Sequence, residues 1–294
     1  MNVSSIPHAR PRKGANWQDL RPRLISAAVL ILVAGSAIIA GGVFYGALII
    51  AAMCGMAFEL AGLFGTPAWT WRGMLYVAWV GCAGLTAFFG HWNVVPVFVM
   101  SAFIFGSALW TGSAVIVAAG AALLWLRLCT LPGAWAVLFV IALVVCSDST
   151  AYVVGRLVGG PKLAPRISPG KTRSGAAGGL AGAVIAGLVV AWSWGFPAGG
   201  NHLSFLMHSA IWSVLLGILA QSGDLAESAM KRSLGVKDSG KLLPGHGGLL
   251  DRFDALLAVA PVAALLSLAA PAGQGFWSVG SKDLWAALLR LAGQ

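Results

Sequence analysis

Between residues 24 and 270 the chain passes through nine apolar stretches, most of them near the length that crosses a bilayer. They cover 24–41, 43–64, 73–90, 94–111, 113–128, 134–155, 175–195, 205–227 and 249–270. A spanning helix needs roughly 20 apolar residues. In lipid the backbone finds no water, so only helices or closed barrels cross. These stretches are rich in Ala and Leu and lack period-two alternation, which argues against a barrel. The pattern predicts an all-α polytopic membrane protein with about nine transmembrane helices, the first two joined by a short hairpin at Gly41-Gly42.

Charge decides orientation. Only 10% of the 294 residues are charged, against about 25% in a soluble domain, which excludes a soluble globular enzyme and a disordered chain. Nineteen Lys and Arg outnumber nine Asp and Glu, for a net charge of +10. Arg10, Arg12, Lys13, Arg21 and Arg23 precede the first stretch, and two further basic loops cover 156–174 and 228–248. Cytoplasmic loops carry the Lys and Arg excess, so the N-terminus and both loops are predicted inside. The loops near 91–93 and 196–204 hold no Lys or Arg and fall outside, and Arg127 fits this scheme less well. The basic residues are not interleaved on a soluble face, which argues against nucleic acid. Cys54, Cys82, Cys129 and Cys146 lie in or beside apolar runs without CxxC spacing, so disulfide and zinc readings are poor.

Six of the nine acids fall between residues 148 and 254. Asp224, Glu227, Ser228 and Lys231 are spaced i, i+3, i+4, i+7 and share one helical face, as do Asp251 and Asp254. With Asp148, three helix ends bring acids to one membrane side. Acids at that depth are costly unless paired or metal-bound. Hard oxygen ligands suit Mg²⁺, which takes one or two carboxylates plus substrate phosphates. One reading is a divalent metal held by Asp224 and Asp251, with Asp254 and Glu227 beside them. The other pairs these acids with Lys231, Arg232 and Arg252 as structural ion pairs. Lys171, Arg173, Lys231, Arg232, Lys237, Lys241 and Arg252 lie in or beside flexible loops next to the acids, and Gly245-His246-Gly247-Gly248 before a helix start is a candidate anion cradle. His246 reads as a phosphate contact or as a structural turn residue. Glu59, inside the second stretch, is assigned no chemistry.

The 228–254 stretch resembles the phosphatidate cytidylyltransferase family, also called CDP-diacylglycerol synthases. Ser228, Met230, Lys231, Arg232, Lys237, Asp238, Gly240, Leu243, Pro244, His246, Gly247, Gly248, Leu249, Asp251, Arg252, Phe253 and Asp254 fill its pattern without a departure. Asp148-Ser149-Thr150-Ala151-Tyr152, Gly155-Arg156 and Ile167-Ser168-Pro169-Gly170-Lys171-Thr172 resemble the family's middle region. There Arg173-Ser174 replaces the aromatic residue and Glu that the family often carries, so no role for an acid at that point carries over.

The resemblance implies an enzyme that joins CTP and phosphatidic acid to give CDP-diacylglycerol and pyrophosphate, with Mg²⁺ and an assisting monovalent cation such as K⁺. Its implied catalytic set is Asp224, Asp251, Lys231, Arg232 and His246. The implied substrate-binding set is Asp148, Ser168, Lys171, Thr172, Ser228, Lys237, Asp238, Lys241, Gly247, Gly248 and Arg252. Partners are CTP, phosphatidic acid and membrane lipids, with a second copy of the chain as a candidate, and the expected location is a bacterial-type inner membrane with the site facing the cytoplasm. The chain accordingly divides into a basic segment over 1–23, N-terminal transmembrane helices over 24–130, a catalytic transmembrane region over 131–271 and an amphipathic tail over 272–294. The rival class is a cation-coupled transporter, but no inverted repeat is visible and the acids gather at span ends rather than at a midplane.

Overall fold

Where the structure describes them, the apolar stretches are helical, as their backbone hydrogen bonding in lipid requires. A computed structural model describes residues 29, 31–67, 69–196, 201–240, 242 and 247–293. The basic segment over 1–23, Lys241 and His246 lie outside the described residues. Among the described residues ten α-helices follow in order: α1 Ile31–Ala40, α2 Gly42–Leu63, α3 Trp71–Phe88, α4 Val95–Ser101, α5 Ser107–Leu128, α6 Ala134–Leu157, α7 Arg173–Trp194, α8 His202–Ser233, α9 Leu250–Ser267 and α10 Ser281–Leu291. Of these, α2, α5, α6, α7 and α8 are long and apolar enough to cross a membrane. Large apolar side chains such as Ile39, Phe44, Ile104 and Leu265 point outward, as a lipid-facing surface requires.

Gly41, at φ +65°, breaks α1 from α2 where the hairpin was expected. Arg127, at the end of α5, closes that hairpin. Its Nε donates to the Ile38 carbonyl at 2.8 Å and its Nη2 to Ile39 at 3.3 Å. A cation against the last carbonyls of a helix is favourable, which explains a basic residue that fits the loop-charge scheme poorly.

The expected division between 94–111 and 113–128 lies elsewhere. A short α4 continues into a 3-10 turn over Ala102–Phe105, and the break comes at Gly106, at φ +102°. Gly112 is inside α5, where a Cβ would lie 2.0 Å from Leu60 Cδ2. Its glycine serves packing of α5 on α2 rather than chain reversal.

Small residues also bring α6 and α7 together. A Cβ on Gly175 would stand 2.8 Å from the Ala151 carbonyl, and one on Gly179 would stand 3.0 Å from that of Ser147. Such close approach is how helices associate where lipid supplies no hydrophobic drive. The basic loop between them is folded: Lys162–Ala164 (β1) and Ser168–Thr172 (β2) form an antiparallel hairpin, with Lys162 opposite Thr172 and Ala164 opposite Ser168. The tail divides in two. Phe276 and Trp277 are buried, with Trp277 stacked on Phe139 at 5.1 Å, while α10 leaves Trp285 and Leu288 exposed as an amphipathic helix does.

At 1.5 Å per residue, the 32 residues of α8 extend roughly 48 Å, well beyond a hydrocarbon core of about 30 Å. Its last turns, from Asp224 onward, are the polar part of the helix, with Asp224, Glu227, Lys231 and Arg232. The hairpin, the end of α6 and the start of α9 meet them there.

Candidate active site

A cavity of about 710 Å³ lies among α6, the hairpin, α7, α8 and α9. Asp148 and Arg156 come from α6, Lys171 and Thr172 from β2, Asp224 and Lys231 from α8, and Asp251, Arg252 and Asp254 from the first turns of α9. Two local devices set this geometry. Thr172 is the N-cap of α7, its hydroxyl accepting from Gly175 N at 3.1 Å, which fixes the strand that carries Lys171. Gly223 lets α9 approach α8, since a Cβ there would lie 2.9 Å from the Asp254 carbonyl oxygen and 2.8 Å from Ala258 Cβ.

The charges sort into two groups. In the first, the Lys171 ammonium pairs with Asp224, whose other oxygen accepts from Ser228 Oγ at 3.4 Å. Asp148 and Asp254 lie within electrostatic reach of both Asp224 and Lys171. In the second, Lys231 bridges Glu227 at 2.6 Å and Asp251 at 2.7 Å. Asp251 also accepts from Ser239 N at 3.0 Å and from Gly248 N at 2.9 Å. One lysine thus holds two carboxylates, and Glu227 Oε1 is buried with no hydrogen-bond partner among the described residues.

The model of the cytidylyltransferase family matches residues 21–269, most of the chain. The chain belongs to the cytidylyltransferase family. It is 52% identical over 130 residues to a phosphatidate cytidylyltransferase of Brucella abortus, covering 42% of this chain and 43% of that protein. It is 41% identical over 135 residues to a phosphatidate cytidylyltransferase of Staphylococcus epidermidis, covering 44% and 48%. A third relative, the uncharacterized protein YnbB of Escherichia coli, is 45% identical over 132 residues, covering 44% and 41%. Each of these alignments spans under half the length of the relative.

Of the residues expected at the site in this cytidylyltransferase-family chain, Asp148, Lys171, Thr172, Asp224, Lys231, Asp251, Arg252 and Asp254 line one cavity. Others stand apart from its lining. Arg232 is exposed and donates to the Val236 carbonyl at 3.2 Å and the Ile167 carbonyl at 3.4 Å, tying the hairpin to the end of α8. Lys237 and Asp238 are exposed, and Ser168 sits in the hairpin opposite Ala164. Gly248, expected to cradle an external anion, gives its N–H to Asp251, and Gly247 takes φ +81° beside the same carboxylate.

The sequence assigned no site role to four contributors, Glu59, Gly223, Tyr152 and Arg156, although the last two fall in the stretch that resembles the family's middle region. Glu59 of α2 is buried, and its Oε2 accepts from Leu250 N at 2.9 Å and Ser239 Oγ at 3.3 Å. Gly240 and Gly248 pack on that carboxylate, where a Cβ would come within 2.3 and 2.6 Å of its oxygens. Gly223 adjoins Asp224, and a small residue next to an acid at a span end is the signal that marks it. Tyr152 and Arg156 line the cavity at the end of α6.

The side chains fit a hard divalent cation in their chemistry. Asp224, Asp254 and Asp148 are oxygen donors facing one cavity, and the Lys171 ammonium pairs with Asp224 there. Among the described residues no three His, Cys, Asp or Glu side chains converge as a ligand set. Asp251 is the most engaged of the acids, with both oxygens accepting hydrogen bonds.

Proposed function

We propose that the chain transfers the cytidylyl group of CTP to phosphatidic acid, giving CDP-diacylglycerol and pyrophosphate. The observation that carries this reading is the cavity in which acids and cations alternate at the end of α8 and the head of α9, in a member of the cytidylyltransferase family. The names of the Brucella abortus and Staphylococcus epidermidis relatives support the choice of lipid substrate. Both substrates are polyanions, so their encounter needs positive charge.

A phosphatidate oxygen forms a bond to the α-phosphorus of CTP, in line with the α–β bridging oxygen. That bridging bond breaks and pyrophosphate leaves with its electron pair. The nucleophile is already ionised near neutral pH, so no side chain is required as a general base. Lys171, Lys231 and Arg252 line the cavity and would neutralise the triphosphate and the departing pyrophosphate. Catalysis is then mainly positioning and electrostatics. Asp224, Asp254 and Asp148 would hold Mg²⁺, and Asp251 would join them by exchanging its bond to Lys231. The ion's contribution is charge stabilisation on the phosphate oxygens.

The same reading sets the chain in an inner membrane, with the basic loops and the cavity toward the cytoplasm and nine traverses in all. Two long-range contacts support that alternation. Glu59, near the end of α2, meets the head of α9, while Trp125, near the end of α5, donates to Ser267 at the end of α9 at 2.9 Å. The test is purified protein in detergent with phosphatidate, Mg²⁺ and CTP labelled in the cytidine. Labelled lipid together with pyrophosphate, both abolished by chelator, is the expected result. Release of CDP in place of pyrophosphate would assign a CTP-dependent lipid kinase, and no lipid product would overturn the reading.

A further inference from the structure

Asp148, Tyr152 and Arg156 are spaced i, i+4, i+8 on one face of α6, and all three line the cavity. This stripe runs from the carboxylate group to the last turn of the helix. Arg156 Nη1 donates to Tyr152 Oη at 2.7 Å, so the guanidinium reaches back one turn along α6, the direction in which long helical side chains lie. Among the described residues no carboxylate pairs with Arg156, in contrast to Lys171 and Lys231. Tyr152 is 64% exposed although it lines the cavity, so the cavity opens at this end of α6. Beside it Val153, Leu157 and Val158 are exposed apolar side chains, with Leu157 at 80%.

We infer that Arg156 and Tyr152 form the subsite for a phosphate monoester borne by a lipid. The inference rests on the function proposed above and deepens it by dividing the cavity between two substrates. A guanidinium offers parallel N–H donors that match phosphate oxygens. Tyr152 accepts from Arg156 and keeps its own proton to donate. The acyl chains run from Tyr152 back toward the bilayer along the exposed Val153 and Val145 of α6, and the phosphate sits one turn from Asp148. The carboxylate end of the cavity repels a bare phosphate, whereas Arg156 carries the unpaired charge.

The experiment uses the full chain in mixed micelles with Arg156→Lys, Arg156→Gln and Tyr152→Phe. Two quantities are read: the KM for phosphatidate and for CTP, each at saturation of the other, and CTP-independent binding of a fluorescent phosphatidate. Arg156→Lys keeps the charge that a mere membrane anchor needs but loses the fork. Expected is a rise of about tenfold or more in phosphatidate KM for both Arg156 variants, a smaller rise for Tyr152→Phe, and a CTP KM changed by less than about twofold. Fluorescent phosphatidate should bind the unaltered chain, weaken in parallel in the variants, and resist competition by inorganic phosphate. A raised CTP KM, unaltered phosphatidate KM and binding, full function in Arg156→Lys, or equal competition by inorganic phosphate would each overturn the subsite. Arg156-dependent binding without turnover in the unaltered chain would keep the subsite and overturn the proposed reaction instead.

Discussion

Glu59 accepts a hydrogen bond from the backbone N–H of Leu250 at 2.9 Å, across 191 residues of chain. The bond caps the first turn of α9 with a carboxylate from the N-terminal half, where the helix dipole favours negative charge. Ser239 Oγ joins the same oxygen, and Ser239 N bonds Asp251. Glu59 therefore sets the loop that in turn sets Asp251. Glu59→Leu leaves Leu250 N buried and unpaired, which costs about 1–3 kcal/mol. The expected result is a lower melting temperature in detergent and at least about tenfold slower turnover in the proposed cytidylyl transfer, with Glu59→Gln milder because its amide oxygen still accepts. Melting and turnover equal to those of the unaltered chain in Glu59→Leu would remove this role.

Asp224 and Asp251 differ in what holds them, so their Asn variants should differ too. Asp224 is tied to Lys171 and loosely to Ser228. Asp224→Asn should melt near the normal temperature while losing about a hundredfold or more in turnover, the scale of removing one preorganised electrostatic contact. Asp251 accepts from Lys231, Ser239 N and Gly248 N, so Asp251→Asn should lose both turnover and stability. Thermal melts beside the cytidylyl-transfer assay separate the two patterns.

Much of the fold was legible because apolar runs in lipid have few alternatives to helix. The α4–α5 boundary was not, because Gly106 and Gly112 look alike in sequence. The first takes a positive φ and the second makes room for Leu60. At the site, the scarcity of acids pointed to Asp224 and Asp251, with Asp254 and Glu227 beside them and Asp148 on the same side. Cations were harder to read, since a motif does not state which face of a chain end a side chain takes. Lys231 turns into the cavity, while the neighbouring Arg232 turns to the hairpin. Glu59 carried no local signal, because its partners are brought to it only by the packing of α2 against α9.

Gly223 should be intolerant of even a methyl group. In an open helix Gly→Ala is stabilising by about 1 kcal/mol. Here the added Cβ would meet the Asp254 carbonyl oxygen at 2.9 Å, and overpacking of this kind costs about 1–3 kcal/mol, so the penalty wins. Gly223→Ala should melt lower and turn over more slowly, because Asp254 is pushed from Asp224. Gly62→Ala in α2, where nothing lies within 4 Å of the added Cβ, is the matched control and should melt no lower than the unaltered chain.

Lys231 holds Glu227 at 2.6 Å and Asp251 at 2.7 Å, and its side chain is only 12% exposed. Removing its charge leaves two carboxylates facing one another in a half-buried site. Breaking a buried pair in this way costs about 3–5 kcal/mol, because the remaining charge has no compensation. Lys231→Met should therefore be strongly destabilised. The burden falls on the Glu227–Asp251 repulsion rather than on the lost side-chain volume, since Met fills most of that space. Adding Glu227→Gln removes one of the two charges and should restore a large part of the melting temperature. Turnover should stay low, because no ammonium then faces the phosphates. If the double variant melts no higher than Lys231→Met, repulsion is not the source of the loss and the lysine's place between the two acids has been misread.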